Sequence, residues 1–243
     1  MEIIKDIIYG EQDSNVQVLD LYLPKGDSSD AADVFIYFHG GGLEAGDKSC
    51  DVNFKQMVDA GKIVISANYR MYPKAVYPDF LEDGAAVVNW AKEYLGRYRQ
   101  VKKTFVGGSS AGAYITAMLA FSSKYLGAYG IGVNDIDGYI INSAQMTTHY
   151  NVLRERGINT KRIVVDEAAP VFHLTENTIF PNALILVSDN DMPCRLEQNL
   201  LFIKTTEMFH CPKEKIQYKL IEGFKHCEYD PTELFVEYMN SIN

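Results

Sequence analysis

The sequence lacks any apolar run long enough to cross a bilayer, and residues 1–10 do not combine a basic segment, an apolar stretch and a small-residue cleavage site. Basic residues are in the minority, because 23 Lys and Arg stand against 32 Asp and Glu, for a formal net charge of -9. A nucleic-acid-binding surface needs clustered Lys and Arg. We therefore expect a soluble, cytoplasmic protein with neither a nucleic-acid nor a membrane partner, although a secreted or periplasmic chain that has lost a signal peptide has the same composition.

Cysteine pairs with metal-ligand spacing are also absent. The four cysteines (Cys50, Cys194, Cys211 and Cys227) form no CxxC motif and no Cys/His cluster, so nothing in the sequence points to zinc. We expect four free thiols in a reducing compartment, since a chain of 243 residues buries enough core without disulfides. No proline-rich, glycine/serine-rich or highly charged linker divides the chain and no repeat is visible, which favours a single domain over residues 1–243.

What is present is an alternation of strand and helix patterns. Strands are predicted at Val16–Leu23, Val34–Phe38, Ile63–Ala67, Thr104–Val106, Tyr139–Ile141, Ala183–Val187 and Ile216–Ile221, and helices at Pro78–Tyr94, Ala111–Phe121, Leu196–Phe209 and Thr232–Met239. Several of the strands are continuous apolar runs, which is typical of strands covered on both faces. This alternation predicts an α/β fold with a mostly parallel sheet between layers of helices.

One segment interrupts the alternation. Residues 143–177 are mixed in character and too long for a tight crossover, and insertions of that length usually carry function or are disordered. We interpret the segment as a short cap over the active site, with Met146, Tyr150, Phe172 and His173 as candidates to line a pocket or to belong to the core.

A GxSxG motif at Gly108–Gly112 follows an apolar strand and precedes an apolar helix. In that context the central serine lies on a sharp strand-to-helix turn, and the first amides of the helix favour negative charge beside it. Ser110 has glycine at both outer positions of the motif, whereas a register centred on Ser109 matches less well. We predict Ser110 as a nucleophile; the alternative is an ordinary glycine-rich turn.

The run His39-Gly40-Gly41-Gly42 follows the strand Val34–Phe38. Glycines without side chains let backbone amides approach an oxygen that becomes negative in a transition state. We predict Gly41, Gly42 and Ala111 as oxyanion-hole donors, and a structural role for His39, whose ring would hold the loop by a hydrogen bond. A phosphate-binding loop is the alternative, but the run lacks the Lys-Ser/Thr ending and the GxGxxG spacing.

A serine nucleophile needs a base that takes its proton. The other histidines are His149, His173, His210 and His226. Among them His226 follows the last predicted strand and precedes the last helix, where a base can reach back over the sheet edge. We predict His226 as the base.

The acid that orients this base is expected after an earlier strand at the same edge. Two aspartates follow Ala183–Val187, namely Asp189 and Asp191. We predict Asp191, because it stands just before the Met192-Pro193 turn into the next helix. Asp189 is the alternative, and the aspartate that is not used is expected to cap a turn or to be solvated.

Taken together, these stretches resemble the hormone-sensitive-lipase-like esterases and the small acetyl-xylan and feruloyl esterases of the α/β-hydrolase superfamily. The matching stretches are His39–Gly42, Asn68–Arg70, Tyr77-Pro78 through Glu82-Asp83, Gly108–Gly112, Asp191–Pro193 and Lys225-His226. The resemblance runs from the second strand to the last helix. It implies an eight-stranded sheet, no metal and no cofactor, a triad of Ser110, Asp191 and His226, and an oxyanion hole of Gly41, Gly42 and Ala111.

Two features depart from that family. Too few residues precede His39 for an N-terminal helical cap, and the residue before the nucleophile, often acidic in the family, is Ser109. A missing cap implies an open, shallow site that suits a short acyl group on a bulky alcohol, such as an acetylated sugar. We therefore expect a serine carboxylesterase acting on small-molecule or carbohydrate esters. An amidase or arylformamidase with the same triad and a non-catalytic binding module are the alternatives, and the oligomeric state is left open.

Overall fold

The strand and helix patterns of the sequence correspond to an eight-stranded sheet with seven α-helices packed against it in a computed structural model, which describes residues 1–26, 30–50 and 52–242. The strands are β1 (Glu2–Ile8), β2 (Val18–Leu23), β3 (Ala32–Phe38), β4 (Ile63–Ala67), β5 (Val101–Ser109), β6 (Gly138–Asn142), β7 (Ala183–Asn190) and β8 (Ile216–Lys225). The helices are α1 (Phe54–Asp59), α2 (Asp79–Tyr94), α3 (Ala111–Phe121), α4 (Ser123–Gly127), α5 (Tyr150–Glu155), α6 (Arg195–Met208) and α7 (Thr232–Ser241).

The sheet has the order β1-β2-β4-β3-β5-β6-β7-β8, in which β2 runs antiparallel to both of its neighbours, β1 and β4, and the other five pairs are parallel. The predicted α/β class with a mostly parallel eight-stranded sheet is confirmed. Because parallel strands end at the same edge, the segments that follow β3, β5, β7 and β8 meet there. That edge is where ligands bind in open α/β sheets.

The central strands separate two hydrophobic clusters. Along β3, Val34, Ile36 and Phe38 belong to one cluster, while Phe35 and Tyr37 belong to the other, as expected for side chains that alternate between faces. The first cluster is covered by α2, α3 and α6, and the second by α1 and α7. Burial on both faces explains why these strands are recognisable as continuous apolar runs.

The strand β1 is absent from the sequence prediction. It lies at the edge of the sheet, pairs with β2 through an irregularity between Ile4 and Ile7, and is largely exposed. The irregularity disrupts the alternation by which a half-buried strand is recognised. Within the part of the chain that the structure describes, no helix has the length and apolar composition needed to cross a membrane.

Residues 143–177 contain α5 and one turn of 3-10 helix at Pro170–His173. The stretch from 144 to 153 is almost wholly buried, so Met146 is a core residue, whereas Phe172 is exposed. The segment therefore begins as a buried continuation of β6. Whether it acts as a cap over a site depends on the cavity described below.

Candidate active site

Ser110 lies at the point where β5 turns into α3. Its backbone has φ 56 and ψ -113, a strained conformation for a residue other than glycine, and its amide donates to the carbonyl of Asn142 at 2.8 Å. The turn can be this sharp because Gly112 has no side chain: a Cβ there would lie 1.9 Å from the carbonyl oxygen of Phe38. The residue types of the motif thus follow from the close approach of α3 to β3.

His226 follows β8 directly and contacts the serine. Its Nε2 lies 2.8 Å from Ser110 Oγ, and its Nδ1 lies 2.5 Å from Asp191 Oδ1. With Nδ1–H donating to the carboxylate, Nε2 is the atom that accepts the hydroxyl proton of Ser110. The structure therefore brings together the three side chains predicted from the sequence, which are separated by up to 116 residues.

Asp191 is held as an acceptor. Its side chain is fully buried, and Oδ1 also accepts the amide of Met192 at 2.6 Å. Burial acts to raise the pKa of this carboxyl, but the hydrogen bonds from His226, Ser143 and the Met192 amide, together with the charge of His226, outweigh it, and the pKa lies below its usual value. Asp191 therefore stays ionised beside the imidazole.

The alternative acid, Asp189, lies elsewhere. Its Oδ1 accepts the amide of Gly223 at 2.9 Å, so it ties the end of β7 to β8 and does not contact His226. This matches the turn-capping role expected for the aspartate that is not used.

The pKa of His226 differs from that of an ordinary histidine. Burial disfavours its charged form, but the hydrogen bond to Asp191, together with the nearby Cys227 thiol, raises its pKa to about 9. Cys227 Sγ lies 3.9 Å from Nε2. An ordinary histidine titrates near about 6.5, so the pH at which this ring becomes a base is displaced upward.

The other candidate histidines are not near Ser110. His149 is buried, accepts the amide of Asn151 at the start of α5, and has its pKa lowered by burial and by the charges of Arg195 and Arg154. His173 binds the carbonyl of Glu167, and His210 lies just beyond the end of α6.

The glycine loop that follows β3 is placed against the serine. A Cβ on Gly40 would lie 3.3 Å from Ser110 Cβ, and Gly41 lines the same cavity as Ser110. His39 has the predicted structural role, since its Nδ1 lies 2.7 Å from the carbonyl of Gly40. Its ring stacks on Tyr69, whose hydroxyl donates to the carbonyl of His39 at 2.9 Å.

Of the predicted oxyanion donors, Gly41 lines the same cavity as Ser110. Ala111 follows Ser110 in the chain and is the first residue of α3, where the backbone amide has no acceptor within the helix. Gly42 is placed differently. It is buried, has φ 68, and a Cβ there would lie 1.9 Å from the hydroxyl of Tyr150. Gly42 does not line the cavity, and the absence of its side chain makes room for Tyr150.

The cavity at Ser110 has a volume of about 500 Å³. It is lined by Tyr37, Gly40, Gly41, Cys50, Val52, Ser109, Ser110, Asn142, His226, Cys227, Tyr229, Asp230 and Pro231. None of these wall residues comes from 143–177, so within the described residues the predicted cap does not cover the site. The segment instead packs beside the glycine loop, where Asn151 Nδ2 donates to the carbonyl of Gly42 at 2.9 Å.

The cavity contains a polar network that was not predicted from the sequence. The hydroxyl of Tyr229 donates to Asn142 Oδ1, and Asn142 Nδ2 donates to Ser109 Oγ at 3.0 Å. The position of Asn142 at the end of β6 is the one signal that could have indicated it, since that strand ends at the same edge as β5 and β7. The cavity wall beside the serine is therefore polar.

The described residues contain no evident metal-binding site. In those parts of the chain, no group of three or more His, Cys, Asp and Glu side chains is close enough to hold a metal ion. All four cysteines fall within the described residues and none forms a disulfide.

Comparison with known proteins assigns this arrangement to a family. A family model described as BD-FAE matches residues 19–152, just over half of the chain, including the glycine loop and the GxSxG motif. The chain belongs to the BD-FAE family. The resemblance to α/β-hydrolase esterases is confirmed by this match and by the relatives that follow.

Two curated relatives illustrate the range of the similarity. Esterase LipI of Mycobacterium tuberculosis is 38% identical over 100 residues, which are 40% of this chain and 31% of LipI. The gibberellin receptor GID1A of Arabidopsis thaliana is 24% identical over 208 residues, which are 76% of this chain and 60% of the receptor. The chain thus spans between 31% and 60% of the length of these relatives.

Among solved structures, a truncated form of a carbohydrate esterase from gut microbiota matches 99% of this chain and 97% of its own, with a TM-score of 0.77 and 17% sequence identity. At that identity the match establishes the fold alone. It confirms the α/β-hydrolase fold of this chain.

Proposed function

We propose that this protein is a serine carboxylesterase that hydrolyses short-chain acyl esters through an acyl-enzyme intermediate. The observation that supports the proposal most is the continuous hydrogen-bonded series from Asp191 through His226 to Ser110, which opens into a cavity beside a glycine loop. A serine, a base that contacts it and an acid that orients the base are what nucleophilic catalysis of acyl transfer requires.

In the proposed acylation step, Ser110 Oγ attacks the ester carbonyl carbon and its proton passes to His226 Nε2. The carbonyl oxygen becomes negative, and we expect the amides of Gly41, which lines the cavity, and of Ala111, which begins α3, to stabilise it. The imidazolium then donates the proton to the leaving alcohol, and the acyl group stays on Ser110. Asp191 stabilises the imidazolium throughout without itself taking the proton.

In deacylation a water molecule replaces the alcohol. His226 takes a proton from the water as its oxygen attacks the acyl carbon, and the same amides stabilise the second tetrahedral intermediate. When the intermediate collapses, the proton returns to Ser110 Oγ and the carboxylic acid leaves. The site is restored without any group that the chain does not itself supply.

The cavity favours a short acyl group and a polar alcohol. Each buried methylene of an acyl chain contributes about 0.8 kcal/mol, but only where an apolar wall receives it. Here the wall combines apolar groups that can receive a short acyl chain with polar groups that can contact an alcohol; the former belong to Tyr37, Val52 and Pro231, and the latter to Ser109, Asn142, Tyr229 and Asp230. Hydroxyl-rich alcohols such as acetylated sugars match such a wall, and the structural neighbour named as a carbohydrate esterase is consistent with that class.

A second candidate function is a binding module that retains the fold without turnover. It is favoured by one observation, the match of 76% of this chain to a gibberellin receptor. Fold alone does not decide between the two. An amidase or arylformamidase remains an alternative within the catalytic class, because it uses the same three side chains.

The experiment is a panel of p-nitrophenyl esters from acetate to octanoate, followed by acetylated xylo-oligosaccharides and by an amide that matches the best ester. The same panel is run with Ser110→Ala and with Ser123→Ala, an exposed serine that serves as the control. We expect the highest kcat/KM at about two to four acyl carbons. We also expect Ser110→Ala to lower kcat about a millionfold, and Ser123→Ala to leave it unchanged.

The outcomes separate the candidates. An inactive but folded wild-type protein favours the binding module, and faster turnover of the amide favours the amidase. Peak efficiency at octanoate contradicts the short-chain preference, and an active Ser110→Ala variant contradicts the mechanism.

A further inference from the structure

A second cavity borders the catalytic residues on another side. Its volume is about 430 Å³, and its walls are Gln145, Tyr150, Thr160, Lys161, Arg162, Ile163, Met192, Pro193, Cys194, Arg195 and Gln198. It adjoins the site at two points: Met192 follows Asp191 directly, and the hydroxyl of Tyr150 packs against Gly42. Residues 143–177, which do not line the Ser110 cavity, supply much of this one.

The charges of this second cavity are all of one sign. Lys161, Arg162 and Arg195 line it, and no Asp or Glu is among the described residues of its wall. The whole chain carries a net charge of -9. Three cations around one cavity in an acidic protein create a local positive potential that attracts anions.

These three cations also differ from their neighbours in lacking acidic partners. In the same segment Arg154 pairs with Glu44 and Arg156 pairs with Asp166. Among the described residues, no carboxylate lies within 4.0 Å of a side-chain nitrogen of Lys161, Arg162 or Arg195. Arg154 and Arg156, which do not line the cavity, are thus paired at short range, whereas Lys161 and Arg162 are not, and Arg195 feels the charge of Asp191 only from beyond that distance.

Arg195 is the most informative of the three. It is 4% exposed, and its guanidinium donates to the carbonyl of Ser143 at 2.5 Å and contacts Met192 Sδ at 3.9 Å. Burial lowers the pKa of this guanidinium, opposed by the charge of Asp191. A buried cation whose partners are a carbonyl and a thioether is costly unless an anion compensates it.

The remaining polar groups of the wall suit an oxyanion. Tyr150 contributes a hydroxyl, and Gln198 uses its Oε1 to accept from Thr147, which leaves its amide nitrogen as a donor. Cys194 and Arg195 begin α6, a helix of 14 residues, and the dipole at a helix N-terminus favours negative charge. Donors and positive charge therefore converge on one cavity.

We propose that this cavity is a binding site for the anionic oxygens of a carboxylate or phosphate group. Because it lies beside Asp191 and Gly42, the cavity is a subsite for esters that carry such a group. This role as a subsite rests on the proposed function. The binding of the anion itself does not depend on turnover.

The test uses the double variant Lys161→Gln/Arg162→Gln, because both side chains are exposed and their replacement leaves the contact of Arg195 with Ser143 in place. The matched control is Lys213→Gln/Lys219→Gln, which removes two exposed positive charges elsewhere on the surface. Both doubles change the net charge by the same amount. Calorimetric titration with adipate and with inorganic phosphate measures binding without any catalytic step.

We expect both anions to bind the wild-type protein and the control double, with affinity that falls as salt is added. In the cavity double the Kd rises about tenfold, the size expected from losing two partly exposed charge interactions. Absence of binding to the wild-type protein at millimolar anion overturns the proposal, as does an equal loss in both doubles. Hydrolysis of neutral esters by the same protein shows that such a failure is not a failure of the proposed function.

A kinetic arm distinguishes the source of the anion. The p-nitrophenyl monoester of adipic acid, with its free carboxylate, is compared with the same ester capped by a methyl group. A substrate-borne anion predicts a kcat/KM ratio above one that falls about tenfold in the cavity double and not in the control. A ratio that both doubles leave unchanged, combined with calorimetric binding that the cavity double weakens, supports a site for a free anion.

Discussion

The glycine loop at residues 39–46 and the loops that carry Asp191 and His226 meet at Ser110, but different forces hold them. The glycine loop rests on buried groups: His39 is 1% exposed and stacks on Tyr69 with ring centroids 4.5 Å apart. Tyr69 is followed by Arg70, whose amide donates at 2.7 Å to Asp83, also 1% exposed, and whose guanidinium pairs with the same carboxylate.

The acid–base half has little of this support. Most of β8 is exposed, and His226 is fixed by its hydrogen bonds to Asp191 and Ser110. Its neighbour Cys227 has φ 54, so the chain leaves the strand in an unfavourable conformation just beyond the base. We therefore expect substitutions in the glycine-loop half to lower mainly the free energy of unfolding, and substitutions in the acid–base half to lower mainly kcat.

The largest effect on rate that separates the halves is expected from Asp191→Asn. An amide in place of the carboxylate favours the imidazole tautomer with the proton on Nε2, which cannot accept the Ser110 proton, and kcat falls about ten-thousandfold. Thermal unfolding of the variant should change little. The measurement pairs kcat on an acetyl ester with a melting curve.

The control for that variant is Asp189→Asn, whose amide oxygen can still accept from Gly223. We expect its kcat to stay close to that of the wild type. Equal losses of kcat in the two variants would contradict the assignment of Asp191 as the acid that orients His226.

The second prediction addresses the glycine-loop half. Asp83→Ala removes the acceptor of the Arg70 amide, of its guanidinium and of Gln17 Nε2. It leaves a largely buried cation with only its longer ion pair to Asp79, at 3.7 Å. We expect the free energy of unfolding to fall by about 3 kcal/mol. Urea denaturation measures it.

Glu207→Ala breaks the exposed pair with Lys204 and serves as the control, with no measurable change expected. If Asp83→Ala keeps full stability but loses turnover, the assignment of this half to stability is wrong.

The third and smallest effect is a shift along the pH axis. The base must be neutral, and the pKa of His226 is raised to about 9, so kcat/KM should rise about tenfold per pH unit below that value and level off above it. An unperturbed histidine, with a pKa of about 6.5, would instead place the rise at roughly pH 6 to 7.5. In residual Asp191→Asn activity the midpoint should move down, because the hydrogen bond that raises the pKa is lost.

A pH-stat assay with an alkyl acetate avoids the spontaneous hydrolysis of aryl esters at high pH. A plateau already reached at pH 7 would show that His226 titrates as an ordinary histidine and that its contact with Asp191 does not favour the charged ring.

The triad contacts could be anticipated from the sequence because each of the three residues follows a strand of the parallel part of the sheet, and parallel strands bring their carboxyl ends to one edge. Ser110, Asp191 and His226 could therefore be placed by chain order and strand position alone. The same reasoning could not place Gly42, whose burial depends on the hydroxyl of Tyr150, 108 positions further along the chain. Packing between a loop and an irregular segment leaves no periodic pattern in either stretch.

The path of residues 143–177 could not be predicted from the sequence for a similar reason. Its length and mixed composition favoured a cap, yet the apolar residues at its start enter the core, and two of its cations, Lys161 and Arg162, line a separate cavity. Likewise, the network of Tyr229, Asn142 and Ser109 joins positions from three different segments. Such contacts become visible only when the tertiary structure is known.

The measurement that tests the central claim most directly is covalent labelling with a fluorophosphonate, followed by mass mapping of the modified peptide. The account predicts one modification, on Ser110, that is absent from Ser110→Ala and much slower in His226→Ala, because the hydroxyl then lacks the base 2.8 Å away. A folded wild-type protein that takes up no label, or takes it up at another residue, would contradict the assignment of Ser110 as the nucleophile.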